Sequence, residues 1–357
     1  MPEKLLFYAG EKALAQIREK GLTPDMIKVI AGAAGGPKWI VLYGLDQFIF
    51  SSWMVKRSDP LYLIGSSIGA FRFAAAMGNT PEESIDKLLD AYIHQAYADK
   101  PSPLEITEKS RDIIHHYLGD SGVEQVLSHP FMRLNFLTDR CKGLTAHDNK
   151  MIQALGFLPA LMGNLLSRKN LGLFFERTLF FDSRDKAPFH TMNSLPTRQV
   201  PISRENLVQG ILASGAIPLI MAGIHDIPGA GHGTFRDGGL VDYHLDIPYG
   251  VNGDIVLFPH YTDRVTPGWL DKSLSFRKPR KEHMDHVLMI CPSRSFIRDL
   301  PYAKIPDRND FMAFKGNDDG RFAYWQTVAD KSRHLADDFS KAVETGTIKQ
   351  RVRAFPF

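Results

Sequence analysis

Residues 65–69, Gly65-Ser66-Ser67-Ile68-Gly69, satisfy G-x-S-x-G in one frame only, with Ser67 at its centre. The spacing suits a nucleophile. A serine at a tight strand-to-helix turn has its hydroxyl pushed outward, and bulky neighbours two residues to either side would collide. The helix start behind it also favours negative charge developing nearby. No histidine stands close to Ser67 in the sequence, so its proton acceptor must come from elsewhere. Two other stretches carry suitable groups. AGAAGGPKW, residues 31–39, reads as a tight turn of small residues. Its amides, exposed at a helix start, could meet a tetrahedral oxyanion without side chains in the way. A phosphate-binding loop fits poorly, because there is no Gly-Lys-Ser/Thr and Pro37 removes an amide. FRDGGLVDY, residues 235–243, reads alone as a β-turn. Beside the other two stretches, it makes Asp237 the candidate base.

The elements around these residues are consistent with such roles. IKVIAG (27–32) and LYLIG (61–65) are short apolar runs, each followed by a small-residue turn and a helical stretch, and Pro37 opens the first of those helices at a position where a missing amide costs nothing. Two successive strand–turn–helix units imply βαβ winding and a parallel sheet covered on both faces. The expected fold class is therefore a three-layer α/β/α sandwich with a mostly parallel central sheet. The first 20 residues carry a helical pattern, and residues 98–200 read as a helical and hairpin insertion beside the sheet. Strands are expected at DIVLF and HVLMIC, and a last long packing helix over about 320–341. The stretch 157–175, FLPALMGNLLSRKNLGLFF, reads as a core helix and hairpin. The competing reading is a lid that touches lipid with a basic Ser-Arg-Lys tip.

Composition narrows the function. With 357 residues, 44% hydrophobic and 23% charged, the chain has the make-up of a globular protein with a sizeable core. Lys and Arg number 43 against 40 Asp and Glu, which argues against nucleic-acid binding. The local basic run KSLSFRKPRK (272–281) reads as a solvated loop rather than a site for anionic head groups. Cys141 and Cys291 have no metal or redox spacing and read as free thiols in a reducing compartment. No apolar run reaches the length of a membrane span, and the N-terminus lacks a signal-peptide core. A cytoplasmic location is expected, peripheral at membranes if lipid is touched. No cofactor or metal is expected.

In this order, the three blocks resemble the patatin-like phospholipase family, whose pattern is G-G-G-x-R/K-G, then G-x-S-x-G, then D-G-A/G. Ala34-Gly35-Gly36-Pro37-Lys38-Trp39 is similar to the first, Gly65–Gly69 to the second and Asp237-Gly238-Gly239 to the third. LASGAIPLIMAGI (212–224) is similar to the family's small-residue helix ending in a proline. The likeness spans about residues 27–250 and leaves a C-terminal extension from about 251, within one domain. Ala34 and Trp39 replace glycines, and Lys38 keeps the charge of arginine without its fork. The resemblance implies a Ser–Asp dyad without histidine. Ser67 would attack an ester, Asp237 would carry the proton, and the amides of Gly35, Gly36 and Lys38 would hold the oxyanion. It implies a lipid acyl hydrolase acting on a lipid or ester substrate, with transient contact at a membrane surface. The alternatives are an acyltransferase or lipid-binding module on the same fold, or a Ser–Asp–His esterase drawing on His283 or His286. His232, five residues before Asp237, merits a test of its own.

Overall fold

The structure, a computed structural model, describes residues 3–356. Its strands are β1 (Leu5–Ala9), β2 (Ile27–Gly32), β3 (Leu61–Ser66), β4 (Met132–Cys141), β5 (Phe175–Phe181), β6 (Thr197–Pro201), β7 (Ile224–His225), β8 (Thr234–Asp237), β9 (Ile255–Pro259), β10 (Val287–Pro292) and β11 (Arg353–Ala354). They form one sheet in the order β11-β1-β10-β9-β2-β3-β4-β5-β6, with β8 paired to β4 and β7 to β8. The stretch from β10 through β9, β2 and β3 to β4 is parallel. Every residue of β3, β9 and β10 is buried. Such continuous apolar runs belong to strands covered by helices on both faces. The fold is thus a mostly parallel sheet between helical layers, as expected.

Three segments differ from the sequence reading. The first 20 residues divide into β1 and a helix at Glu11–Lys20. Leu5, Phe7 and Ala9 are buried and alternate with half-buried Leu6 and Tyr8, a strand period rather than a helical one. Gly10 separates the two elements, and a Cβ there would fall 1.9 Å from the Met284 carbonyl oxygen. Residues 132–141, expected within an insertion, instead supply β4 to the sheet. Arg133, Asn135, Thr138, Asp139 and Arg140 interrupt its apolar run, which hides the strand in the sequence.

The third difference is the helix Lys150–Leu166, which is a core helix on one face only. Its buried residues are Gln153, Gly156, Phe157, Ala160 and Asn164, while Met151, Leu155, Leu158, Leu161, Met162, Leu165 and Leu166 are exposed. Phe157 and Ala160 join an apolar cluster with Leu171 and Phe175, while amide side chains share that inner face and leucines face out. Gln153 explains the amides. It donates to the carbonyls of Thr145 and His147 and accepts from the Leu219 amide at 2.6 Å, so the polar face has buried work to do.

Two buried ion pairs hold the layers around the future site. Arg72, in the helix Ile68–Ala76, makes two 2.7 Å bonds to Asp46 in the helix Tyr43–Phe48. Arg177 on β5 clasps Asp242 at 2.6 and 2.8 Å, just beyond Asp237. Removing one partner of such a pair leaves a buried charge uncompensated and costs about 3–5 kcal/mol. The long helix expected near 320–341 spans Asp318–Glu344 and packs on the helix Tyr43–Phe48.

Candidate active site

β4 is longer than β3, and the site follows from that mismatch. Leu61–Ser66 pair in parallel with Met132–Leu137, and β3 stops there. The remaining residues of β4 pair with β8 running the opposite way, Thr138 against Asp237 and Cys141 against Thr234. β3 and β8 therefore abut end to end along one neighbour. Their C-terminal ends face each other, with Ser66 opposite Leu137 and Asp237 opposite Thr138.

Ser67 is the first residue past β3. Its backbone, at φ 55° and ψ −125°, lies in a region that side chains other than glycine rarely enter. The turn holds because both flanking glycines are in close contact. A Cβ on Gly65 would lie 2.5 Å from the Gly69 carbonyl carbon, and one on Gly69 would lie 2.1 Å from the Gly32 oxygen. Ser66 is fully buried, while Ser67 lines a cavity.

The Ser67 hydroxyl donates to Asp237 Oδ2 at 2.8 Å across 170 residues of sequence. The Gly239 amide donates to the other oxygen, Oδ1, at 2.7 Å. Burial raises the Asp237 pKa above the ordinary carboxylate value. The Arg308 charge, the Ser67 and Gly239 hydrogen bonds and Lys272 oppose that rise without cancelling it. A raised pKa makes Asp237 a stronger base than a surface aspartate.

One short segment positions both groups. Ser214 Oγ accepts the Ser67 amide at 3.0 Å and donates to the Leu137 carbonyl at 2.7 Å. Two residues on, the Ala216 carbonyl accepts the Asp237 amide at 3.0 Å. In the sequence LASGAIP is a run of small residues ending in a proline, and nothing in that pattern assigns a task to Ser214.

Gly35 and Gly36 follow β2; Gly36 has φ 55° and lines the same cavity as Ser67. Among the described residues, neither amide meets a protein acceptor. The neighbouring amides are engaged. Ala34 donates to the Tyr243 carbonyl at 2.9 Å, and Lys38 closes a turn onto the Gly35 carbonyl at 3.4 Å. The Lys38 amide is thus turned into its own loop, while its ammonium lies 5.0 Å from the centre of the Tyr261 ring. Tyr261 donates to the Ala34 carbonyl at 2.7 Å and contacts His244 Nε2 at 2.7 Å. The Thr266 amide donates to Nδ1 of His244, which leaves the ring proton on Nε2 to bond Tyr261. Trp39 is buried beneath this loop, edge-on to Tyr92 at 5.7 Å, and does not narrow the site.

The histidines weighed for a triad lie elsewhere. His232 has a 99% exposed side chain, His283 bonds Asp246 and His286 bonds the Asp254 carbonyl. Among the described residues, no group of side chains has the make-up of a metal site. Both cysteines are free and buried.

A cavity of about 320 Å³ opens above Ser67, walled by Ile68, Phe71, Tyr92, Ile113, Ile217 and Ile220, among others, and bordered by Arg308. Apolar walls with a few polar groups at one end are the usual make-up of a small-molecule site. Two charged residues at the site escaped the sequence reading, Lys272 and Arg308. Lys272 heads the run read as a solvated loop, and Arg308 lies in the C-terminal region, where no motif marks it.

No family model matches the chain, and no curated protein matches it. Among solved structures it is similar to VipD from Legionella pneumophila, with a TM-score of 0.31 and 11% identity, over 66% of this chain and 50% of that one. It is also similar to a chain of the heterodimeric ExoU–SpcU complex from the type III secretion system of Pseudomonas aeruginosa, with a TM-score of 0.32 and 10% identity, over 96% and 55%. The chain spans about half the length of these two solved chains.

Proposed function

We propose that the protein is a lipid acyl hydrolase working through a Ser67–Asp237 dyad and an acyl-enzyme. The observation that carries this reading is the 2.8 Å hydrogen bond from a strained serine lining an apolar cavity to a buried carboxylate. Ser67 Oγ attacks the ester carbonyl while Asp237 Oδ2 takes its proton. The oxyanion forms against the Gly35 and Gly36 amides, each worth about 3 to 4 kcal/mol in comparable sites. Asp237 returns the proton to the departing alkoxide. Water, deprotonated by the same carboxylate, then releases the fatty acid. The acyl chain lies in the cavity above Ser67.

The helix Lys150–Leu166 supports action at a lipid surface. Its exposed apolar side chains span an arc of about 140° at 3.6 residues per turn, wider than the narrow seam of a paired coiled coil. Exposed Lys150 and Lys169 stand at its two ends, and no carboxylate lies within it. Asp148, just before it, is tied to His225 and Arg236. This pattern of leucines bounded by cations is that of a helix lying in a membrane interface. Gln153 joins the helix to Leu219, next to the cavity residue Ile220, so a docked helix would bring the cavity to the lipid. No helix among the described residues is long and apolar enough to cross a membrane.

The test is a panel of acyl esters and lipids with purified protein, the products identified by mass spectrometry, together with labelling by a fluorophosphonate probe. Release of fatty acid and labelling at Ser67, both lost in Ser67→Ala, are expected. Acyl transfer to an added alcohol instead of water would make the protein a transferase, and lipid binding without turnover or labelling would make it a carrier.

A further inference from the structure

Two indoles hold the ring of Tyr92. Trp39, which closes the glycine-rich loop after β2, meets it edge-on at 5.7 Å and 89°. Trp325, on the helix Asp318–Glu344, stacks on it at 6.3 Å and 29°. Both indoles are buried, and Trp325 Nε1 donates to Asp310 at 3.0 Å. Tyr92 lies in the last turn of the helix Pro81–Ile93, and its carbonyl accepts Gln95 Nε2 at 2.6 Å. Packing on two rigid neighbours fixes the phenol ring and therefore the place of its hydroxyl.

That place is beside the glycine loop. Tyr92 lines the cavity together with Ser67 and Gly36, and a Cβ on Gly36 would lie 3.6 Å from the Tyr92 hydroxyl oxygen. A Cβ stands about 2.5 Å from its own nitrogen, so the hydroxyl and the Gly36 amide are no more than about 6 Å apart. One oxygen accepting from both, at about 3 Å from each, fits that gap. Among the described residues the Tyr92 hydroxyl meets no hydrogen-bond partner. A tyrosine hydroxyl in such packing usually has one. Nearby tyrosines do: Tyr97 donates to Gln95 Oε1 at 2.6 Å and Tyr261 to the Ala34 carbonyl at 2.7 Å. Burial raises the Tyr92 pKa, and the Arg308 charge opposes that rise without cancelling it, so the hydroxyl keeps its proton and can donate.

We propose that Tyr92 is a further catalytic residue, its hydroxyl donating to the tetrahedral oxyanion alongside the Gly35 and Gly36 amides; the assignment rests on the Ser67–Asp237 reading above. The demand for such a donor is physical. A carboxylate is a weak base toward a serine hydroxyl, so more of the barrier must be removed by the groups that meet the oxyanion. The Lys38 amide is turned into its own loop and leaves that task to the two glycines. A phenol bonds a full negative charge more strongly than a neutral ester carbonyl, which favours the transition state over the bound substrate. The proton stays on Tyr92 throughout, so the proton traffic between Ser67 and Asp237 is unchanged. Arg308 Nε lies 3.2 Å from the same Gly36 Cβ position, where its charge polarises the phenol toward donation.

The test is Tyr92→Phe, which keeps the ring and removes only the hydroxyl. Because that hydroxyl has no protein partner, the variant should melt like wild type. On a chromogenic medium-chain ester its kcat/KM should fall about a hundredfold, the usual worth of one oxyanion donor. An alkyl trifluoromethyl ketone, whose adduct with Ser67 carries the same oxyanion, should lose inhibition by a similar factor. The corresponding alcohol, which forms no adduct, should bind both proteins equally. The loss should persist in an Arg308→Gln background; its disappearance there would give the oxyanion contact to Arg308 and overturn the proposal. Unchanged kcat/KM and ketone inhibition in Tyr92→Phe overturn it while leaving the hydrolase reading intact. An equal loss for ketone and alcohol would make Tyr92 a wall of the cavity and overturn it too. A wild-type protein that turns over no ester and binds ketone no better than alcohol removes the hydrolase reading and the donor role together.

Discussion

Gly69 lies so close to Gly32 that a Cβ on it would stand 2.1 Å from the Gly32 carbonyl oxygen and 3.1 Å from its Cα. The helix carrying Ser67 is thus seated directly on the strand that leads to Gly35 and Gly36. The spacing between Ser67 and the Gly35–Gly36 loop is set by two residues without side chains.

Gly69→Ala should therefore separate the two. Backbone, which cannot rotate away, receives the clash, so a loss of about 1–3 kcal/mol is expected. Thermal melts with and without the fluorophosphonate check it. An alanine variant that melts and labels like wild type would show that the contact is looser than described.

Ser214→Ala removes the oxygen that accepts the Ser67 amide and satisfies Leu137. The buried Ser67 amide then lacks a partner, at a cost of about 1–3 kcal/mol. Because Ser214 positions rather than reacts, kcat should fall by about tenfold with KM little changed. Ser214→Thr, which keeps the hydroxyl, should recover part of the loss.

Asp237→Asn should lower kcat by about 10²–10⁴, the usual worth of a general base. His232→Ala and His286→Ala should leave turnover near wild type, since both rings bond to groups remote from the dyad. A large loss at His286 would instead revive a triad.

The pH profile has a definite sign. In the proposed dyad Asp237 acts when ionised, so kcat/KM should fall as pH drops through its pKa. Burial raises that pKa, placing the acid limb above the ordinary carboxylate range. Lys272 behaves oppositely. Burial, Arg308 and Lys38 lower its pKa to about 7 against the pull of Asp237, although the residue as a whole is exposed. Its charge in turn lowers the Asp237 pKa, so Lys272→Met should move the acid limb to higher pH, and an unmoved limb would show that the two groups do not interact.

Exchange of Leu155, Leu158 and Met162 for serine should reduce association with vesicles containing anionic lipid, measured by flotation. The ratio of vesicle to monomeric substrate turnover should fall with it. All three side chains are exposed, so thermal stability should hold. Unchanged flotation would assign the face to another partner, with the oligomeric state the first measurement to make.

Much of the local design can be read along the chain. Glycine spacing around Ser67, the small residues before Pro37 and the turn after Asp237 are short-range requirements, since a tight turn depends on the few residues that form it. The same holds for β2, β3, β9 and β10, whose unbroken apolar runs announce burial on both faces. Polar side chains interrupt the run of β4 and hide it, and the Lys150–Leu166 helix, apolar nearly all round, does not show in the sequence which of its faces turns inward. What folding alone decided is the meeting of distant groups. Ser67 reaches Asp237 because β3 and β8 end against each other on an overlong β4, and Arg308 and Lys272 reach both through loops without motif. Such encounters depend on register and loop path, which are settled by packing across the whole sheet and by no local residue pattern.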